Sequence, residues 1–271
     1  MRVNNLVRLA FAILLFPACA LAQDFGEGRW IDLTHDFSDE TISHPRGQPF
    51  VHTPSVVGMT PGGFYMATYN YSGSEHVGTH LDAPVHFFEG GKSIEQLSLQ
   101  RFMGYVIVID IKEQVSADRE YLVTVDDVLD WETTHGKIPD DSIVLFNMGL
   151  AKVWPDKIKY TGTDKRGNEG VAELRNPGIH KDTAMFLSTK RRIKLVGLDT
   201  TSFDNAKQPD RRSHQIFFEH DIPGIENVAN IDALPATGAF MIALPMKIKD
   251  GSAAPVRVIA FVPDNGDQQP E

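Results

Sequence analysis

The sequence predicts a mixed α/β domain with a largely β core. Three observations predict it. Five apolar runs rich in Val and Ile have the length of strands, only two segments carry helix signals, and no shift of composition divides the chain. The runs are Tyr105–Ile111, Ser142–Phe146, Ile193–Leu198, Ala239–Leu244 and Val256–Val262. They are continuous rather than alternating, as strands covered on both faces are. Phe64–Tyr71 alternates and is expected to be a half-exposed strand.

The first helix signal is Thr124-Val125-Asp126-Asp127, a capping-box-like start that leads into Val128, Leu129 and Trp131. The second covers Lys181–Lys190, with Ala184, Phe186 and Leu187 on one side and Arg191 and Arg192 at the end, where cations suit the helix dipole. Between these, Lys157–Gly178 is polar and Gly-containing and reads as a long surface loop or lid. The polar tail Pro263–Glu271 is expected to fray.

Residues 1–22 have the order of a secretory signal: Arg2 and Arg8, an apolar stretch Leu9–Phe16, and the small-residue pattern Ala20-Leu21-Ala22 before Gln23. The apolar stretch is too short to span a bilayer. The expected mature unit is therefore 23–271, exported to a periplasm or the exterior and without a membrane anchor. Removing two arginines leaves 24 basic against 36 acidic residues, a net charge of −12. So acidic a chain is a poor partner for nucleic acid or an anionic membrane. The only cysteine, Cys19, lies inside the signal, so the mature chain has no disulfide and is held by its core. Phe16-Pro17-Ala18 before it fits a lipidation site poorly.

One stretch stands apart: Glu75-His76-Val77-Gly78-Thr79-His80-Leu81-Asp82-Ala83-Pro84-Val85-His86. Counted from His76, the ionisable positions are 0, +4, +6 and +10. All are even, so an extended segment puts them on one face. Gly78 shares that phase and leaves room for a ligand or a close backbone. A helix would also align His76 with His80, but Gly78 and Pro84 disfavour it. Two imidazoles and a carboxylate leave coordination positions open, as in catalytic zinc, manganese or iron sites. The structural alternative, four unrelated residues, would strand ionisable groups unpaired at a cost. A second group, His214 and Glu226, competes with His220, Glu219 and Asp221, and its local pattern alone points to no single role.

The run His76–His86 carries every defined position of the pattern H-x-G-T-H-x-D-x-P-x-H and resembles the cyclase family, which contains bacterial kynurenine formamidases and isatin hydrolases. The resemblance covers roughly Arg29 to Val262. It includes Trp30-Ile31-Asp32-Leu33-Thr34-His35, Asn176-Pro177-Gly178-Ile179, Lys194–Thr200, Glu226–Pro235 and Ala243–Ile248. It implies a swivelling β/β/α fold, usually in a homodimer or larger oligomer. It implies His76, His80 and Asp82 as metal ligands, His214 and Glu226 as ligands of a second metal bridged by Asp82, and His86 as the proton-transfer residue. The resemblance further implies a divalent metal cofactor, Zn or Mn, one or two per chain, a small-molecule amide as substrate, and hydrolysis of an amide, formamide or lactam as the reaction.

One departure matters. Kynurenine formamidases carry a tryptophan before a proline in an early loop, and the matching place here is His44-Pro45. This withdraws support from N-formylkynurenine and offers His44 as a substrate contact. The leading expectation is an exported hydrolase of a cyclic amide or imide, such as an isatin-like lactam. Glu226 keeps open a two-metal arylformamidase. A secreted metal- or ligand-binding protein without turnover is a third reading, against which stands His86, a base that simple metal binding does not need.

Overall fold

The apolar runs do become strands, and they close on themselves. The computed structural model describes residues 25–206, 208 and 210–264; the proposed signal at 1–22 and most of the C-terminal tail lie outside the described residues. In chain order come β1 (Gly28–Asp32), β2 (Val51–Met59), β3 (Tyr65–Ser72), β4 (His80–Asp82), β5 (Met103–Asp110), α1 (Lys112–Ala117), β6 (Leu122–Val123), α2 (Val125–His135) and β7 (Ile143–Asn147). There follow α3 (Lys157–Thr161), α4 (Gly167–Glu173), β8 (Gly178–Ile179), α5 (Lys181–Phe186), β9 (Leu195–Leu198), α6 (Arg212–Glu219), β10 (Gly224–Glu226), β11 (Ala239–Pro245) and β12 (Ala253–Pro263).

Eight strands form one sheet in the order β1-β12-β11-β5-β7-β9-β10-β4, and β4 pairs in turn with the start of β12. The sheet is thereby closed into a barrel. β5, β7, β9 and β10 run parallel, and the other pairings are antiparallel. The parallel strands are the most continuous apolar runs, because both of their faces are covered. Val106, Val108, Ile143 and Leu145 point into the barrel with Leu81, Ile225 and Met241. Their neighbours Ile107, Ile109, Val144 and Phe146 point outward onto the helical layer, against Val128, Leu187 and Phe217. The two-residue period of a strand feeds both cores.

α2 starts where the capping box predicts. Thr124 Oγ1 accepts from Asp127 N at 3.2 Å, and Asp127 Oδ2 accepts from Thr124 N at 2.7 Å. Trp131 on this helix donates its indole N–H to Val108 O at 2.9 Å, a packing role. The second helix covers the expected span, running as α5 to Phe186 and continuing as a wider π turn through Arg191. Arg191 is held by both carboxylate oxygens of Glu132 at 2.6 Å, a stronger attachment than a helix dipole.

Two expectations are corrected. Lys157–Gly178 is not a long loop. It contains α3 and α4, because Asp156 caps α3 by accepting from Lys159 N at 3.0 Å and Tyr160 is buried completely. Tyr160 donates its hydroxyl to Asn227 Oδ1 at 3.0 Å, which ties the segment to the end of β10. β3 is more exposed than alternation suggests. It pairs only with β2 in a hairpin whose two faces are open, with Val57 50%, Met59 70% and Tyr65 64% exposed. Among the described residues no helix is long and apolar enough to cross a membrane.

Candidate functional site

His76 to His86 does not form one extended face. Only β4, His80–Asp82, is strand. Gly78 adopts a left-handed conformation, φ +61°, which turns the chain between His76 and His80. The room beside Gly78 is not free for a ligand: a Cβ there would lie 2.8 Å from the Phe37 ring. The turn is tied to β10 by Asn227, whose Nδ2 donates to Gly78 O at 2.7 Å and whose carbonyl accepts from Thr79 Oγ1 at 2.7 Å. Pro84 then starts a single 3₁₀ turn, Pro84–His86, that swings His86 back over the strand. Its ring lies 4.0 Å from that of His76, centroid to centroid.

The barrel brings in the distant pair. In the antiparallel β4–β10 register, Glu226 is opposite His80, so its carboxylate enters the same space. His214 comes from the first turn of α6, where Phe87, Phe203 and Phe218 surround its ring. The atoms that could ligate a metal form two groups that share Asp82, His76–His80–Asp82 and Asp82–His214–Glu226, each within 4.8 Å. All five side chains are buried except His76, which is 21% exposed.

Each histidine spends one nitrogen on an outside partner. His80 Nδ1–H donates to Gly78 O at 2.9 Å. His214 Nδ1–H donates to the Asp204 carboxylate. His76 Nε2–H donates to Ser252 Oγ at 3.0 Å, because the Ser252 hydroxyl proton goes to Glu75 Oε2 at 2.9 Å. These bonds fix the ring orientations and turn His76 Nδ1, His80 Nε2 and His214 Nε2 inward. All three face carboxylates: His76 Nδ1 lies 2.8 Å from Asp82 Oδ1, His80 Nε2 lies 3.2 Å from the same oxygen, and His214 Nε2 lies 3.2 Å from Glu226 Oε1. His80 Nε2 and Asp82 Oδ1 are buried and have no hydrogen-bond partner. Inward-facing imidazole nitrogens and buried carboxylates packed on one another call for positive charge between them, and this donor set fits a divalent metal.

The electrostatics agree. Burial opposes charge on His80, yet Asp82 and Glu226 outweigh it and raise its pKa to about 9. Burial likewise disfavours the Asp82 carboxylate, but His76 and His80 hold its pKa well below the usual range. Glu226 is pushed up by burial and by Asp82. His86 behaves in the opposite way. Burial lowers its pKa to about 3; Asp82 pulls upward, while His76, His214 and His80 add to the lowering. Its ring nitrogens make no hydrogen bond among the described residues, so a neutral imidazole is presented to the cavity.

That cavity has a volume of about 410 Å³ and is lined by the five clustered side chains together with His86, His44, Arg46 and Arg211. His44 thus stands in the same cavity as the cluster. Burial lowers its pKa to about 4, helped by Arg211, Arg46 and Arg166. Three contributors escaped the sequence reading: Asp204 behind His214, the Glu75–Ser252 pair behind His76, and Asn227. Asp199, at the end of β9, accepts from Met148 N, Leu150 N and Ala151 N at 2.7–3.0 Å and so holds backbone rather than a cluster histidine. Trp154 stacks on His35 at 4.1 Å and packs edge-on against Tyr160. His180 caps α5, and His52 stacks on Tyr69.

A closed mixed barrel with a buried His/Asp/Glu cluster at one cavity defines a metal-dependent hydrolase class. The family described as "Putative cyclase" matches residues 31–205, and the chain belongs to this cyclase family. It is 31% identical to the isatin hydrolase of Roseibium aggregatum over 197 residues, 70% of this chain and 72% of that one. It is 28% identical to the kynurenine formamidase of Bacillus cereus over 235 residues, 85% of this chain and 96% of that one. Among solved structures, an isatin hydrolase bound to the product analogue thioisatinate superposes with a TM-score of 0.77 at 27% identity, covering 88% of this chain and 94% of that one.

Proposed function

We propose that the protein is an exported, metal-dependent hydrolase that opens a cyclic amide of the isatin type. The observation that carries this reading is the set of three histidines, each fixed by an outer hydrogen bond and each turned with its free nitrogen toward buried carboxylates, beside an uncommitted His86. The relatives named isatin hydrolase and kynurenine formamidase support amide hydrolysis, and the loss of tryptophan at His44-Pro45 favours the lactam. Export rests on the signal pattern of residues 1–22. The exposed apolar faces of the β2–β3 hairpin support a homodimer or larger oligomer.

His76, His80 and Asp82 would hold the metal, and Asp82, His214 and Glu226 would hold a second. Bound there, a divalent ion supplies Lewis acidity toward the carbonyl and eases ionisation of water. His86 does the proton work. As a neutral imidazole it takes a proton from the attacking water as the C–O bond forms. It returns that proton to the nitrogen as the C–N bond breaks, leaving a carboxylate and an amine.

A second reading has its own observation. Asp82, His214 and Glu226 form a complete second ligand group, which suits a two-metal arylformamidase. Zinc- or manganese-loaded mature protein, assayed on isatin and on an N-formyl arylamine, tests both. Faster ring opening of isatin is expected. Preference for the formamide would replace the first reading by the second, and turnover of neither would leave the binding-only alternative.

A further inference from the structure

The floor of the cavity is acidic, but its mouth is basic. The chain carries 36 acidic against 26 basic residues, and most arginines elsewhere are answered by carboxylates: Arg101 by Asp221, Arg191 by Glu132, Arg192 by Asp140, Arg212 by Glu219 and Arg257 by Asp32. At the mouth this is not so. Arg46, Arg166 and Arg211 crowd His44, and none makes an ion pair among the described residues. Arg166 is spent on structure, donating to Ser43 Oγ at 2.9 Å, to His44 O at 3.2 Å and to Gly47 O. Arg46 gives its Nε to Asn168 Oδ1 at 3.0 Å and keeps its terminal nitrogens.

Arg211 is uncommitted. It lines the cavity, is half-buried, and its guanidinium has no hydrogen bond to the described residues. It sits in a left-handed conformation, φ +51°, at the start of the helix that carries His214. A non-glycine residue in the left-handed region is uncommon, and such positions gather where a ligand is bound. The guanidinium's fork of donors matches a carboxylate.

We infer that Arg211, assisted by Arg46, anchors an anionic group, a carboxylate, that the substrate carries at the mouth of the cavity, away from the amide being cleaved. The inference rests on the hydrolase reading and narrows its substrate class: aryl amides or lactams that bear a free carboxylate are preferred over their neutral parents. Arg211 is a specificity-determining residue here. The carbonyl under attack belongs at the floor with Asp82, Glu226 and the histidines.

The test uses the metal-loaded mature protein and a matched pair, formanilide and its ring-carboxylated analogue. In wild type the carboxylated substrate should have the higher kcat/KM by about tenfold or more, expressed in KM. Arg211→Gln should cost the carboxylated substrate at least about ten times more than the neutral one, and Arg211→Lys should restore part of the difference. Equal rates on the pair in wild type, or equal losses in Arg211→Gln, would overturn the inference. Calorimetric titration with a non-hydrolysable pair, an aryl ketone with and without the carboxylate, separates this from failure of the hydrolase reading. Tighter binding of the carboxylated ketone that vanishes in Arg211→Gln supports the anchor even without turnover, and indifference to the carboxylate refutes it.

Discussion

Glu226 lies directly across the β4–β10 ladder from His80, with its Oε2 3.4 Å from His80 Nε2. Two residues far apart in the chain are thus set by backbone register rather than by loops. A pair built on neighbouring strands is held within a narrow geometry, as a metal site would require.

The hydrogen bond from His214 Nδ1 to Asp204 fixes both the ring's orientation and its tautomer. Asp204→Asn should therefore weaken metal binding at the second ligand group about 10- to 100-fold while the fold persists. Competition with a chromogenic chelator measures this, and unchanged affinity would show that Asp204 only caps α6 through Ser213 N.

His86→Ala should lower kcat about 10²- to 10⁴-fold without changing metal content. Metal analysis beside steady-state kinetics checks both halves. Loss of metal in this variant would make His86 a ligand instead of a base.

Gly78→Ala places a Cβ on a left-handed residue and 2.8 Å from the Phe37 ring. A loss of about 1–3 kcal/mol is expected, read as a lower denaturant midpoint at unchanged slope. A neutral outcome would mean that the Gly78–Thr79 turn relaxes freely despite its two bonds to Asn227.

Stability should fall in acid through His35. Burial under Trp154 lowers its pKa to about 4, although Asp36 pulls upward. Between about pH 6.5 and 4 the unfolded chain binds a proton that the folded chain refuses, so stability is present above that window and is lost as pH falls through it. His35→Phe should flatten this part of the Tm–pH curve by a few degrees, roughly as expected for a partly exposed group. An identical curve in the variant would assign the acid sensitivity elsewhere.

How much was legible follows from how locally each feature is encoded. β5, β7 and β9 showed as Val/Ile runs because parallel strands are covered on both faces, and α2 showed through Thr124 and Asp127. α3 and α4 did not: they are five and seven residues long, and Tyr160 alone anchors the first in the core. Within the site, His76, His80, Asp82 and His86 were visible as one cluster of spacing, although Gly78 breaks the extended phase from which their convergence was argued. His214 and Glu226 gained weight only from family resemblance, since barrel closure unites them with β4. Asp204, Ser252 and Asn227 act through tertiary hydrogen bonds that leave no periodic trace. Arg211 carried no pattern at all, and its interest comes from its lack of a carboxylate partner among the described residues.

The most direct test of the central claim is metal stoichiometry on purified mature protein, beside His80→Ala and Glu226→Ala. The proposed site predicts at least one tightly held divalent ion per chain in wild type and its loss in His80→Ala; a second ion lost in Glu226→Ala would favour the formamidase-like arrangement. Wild-type protein that holds no ion after reloading with zinc or manganese would contradict the account.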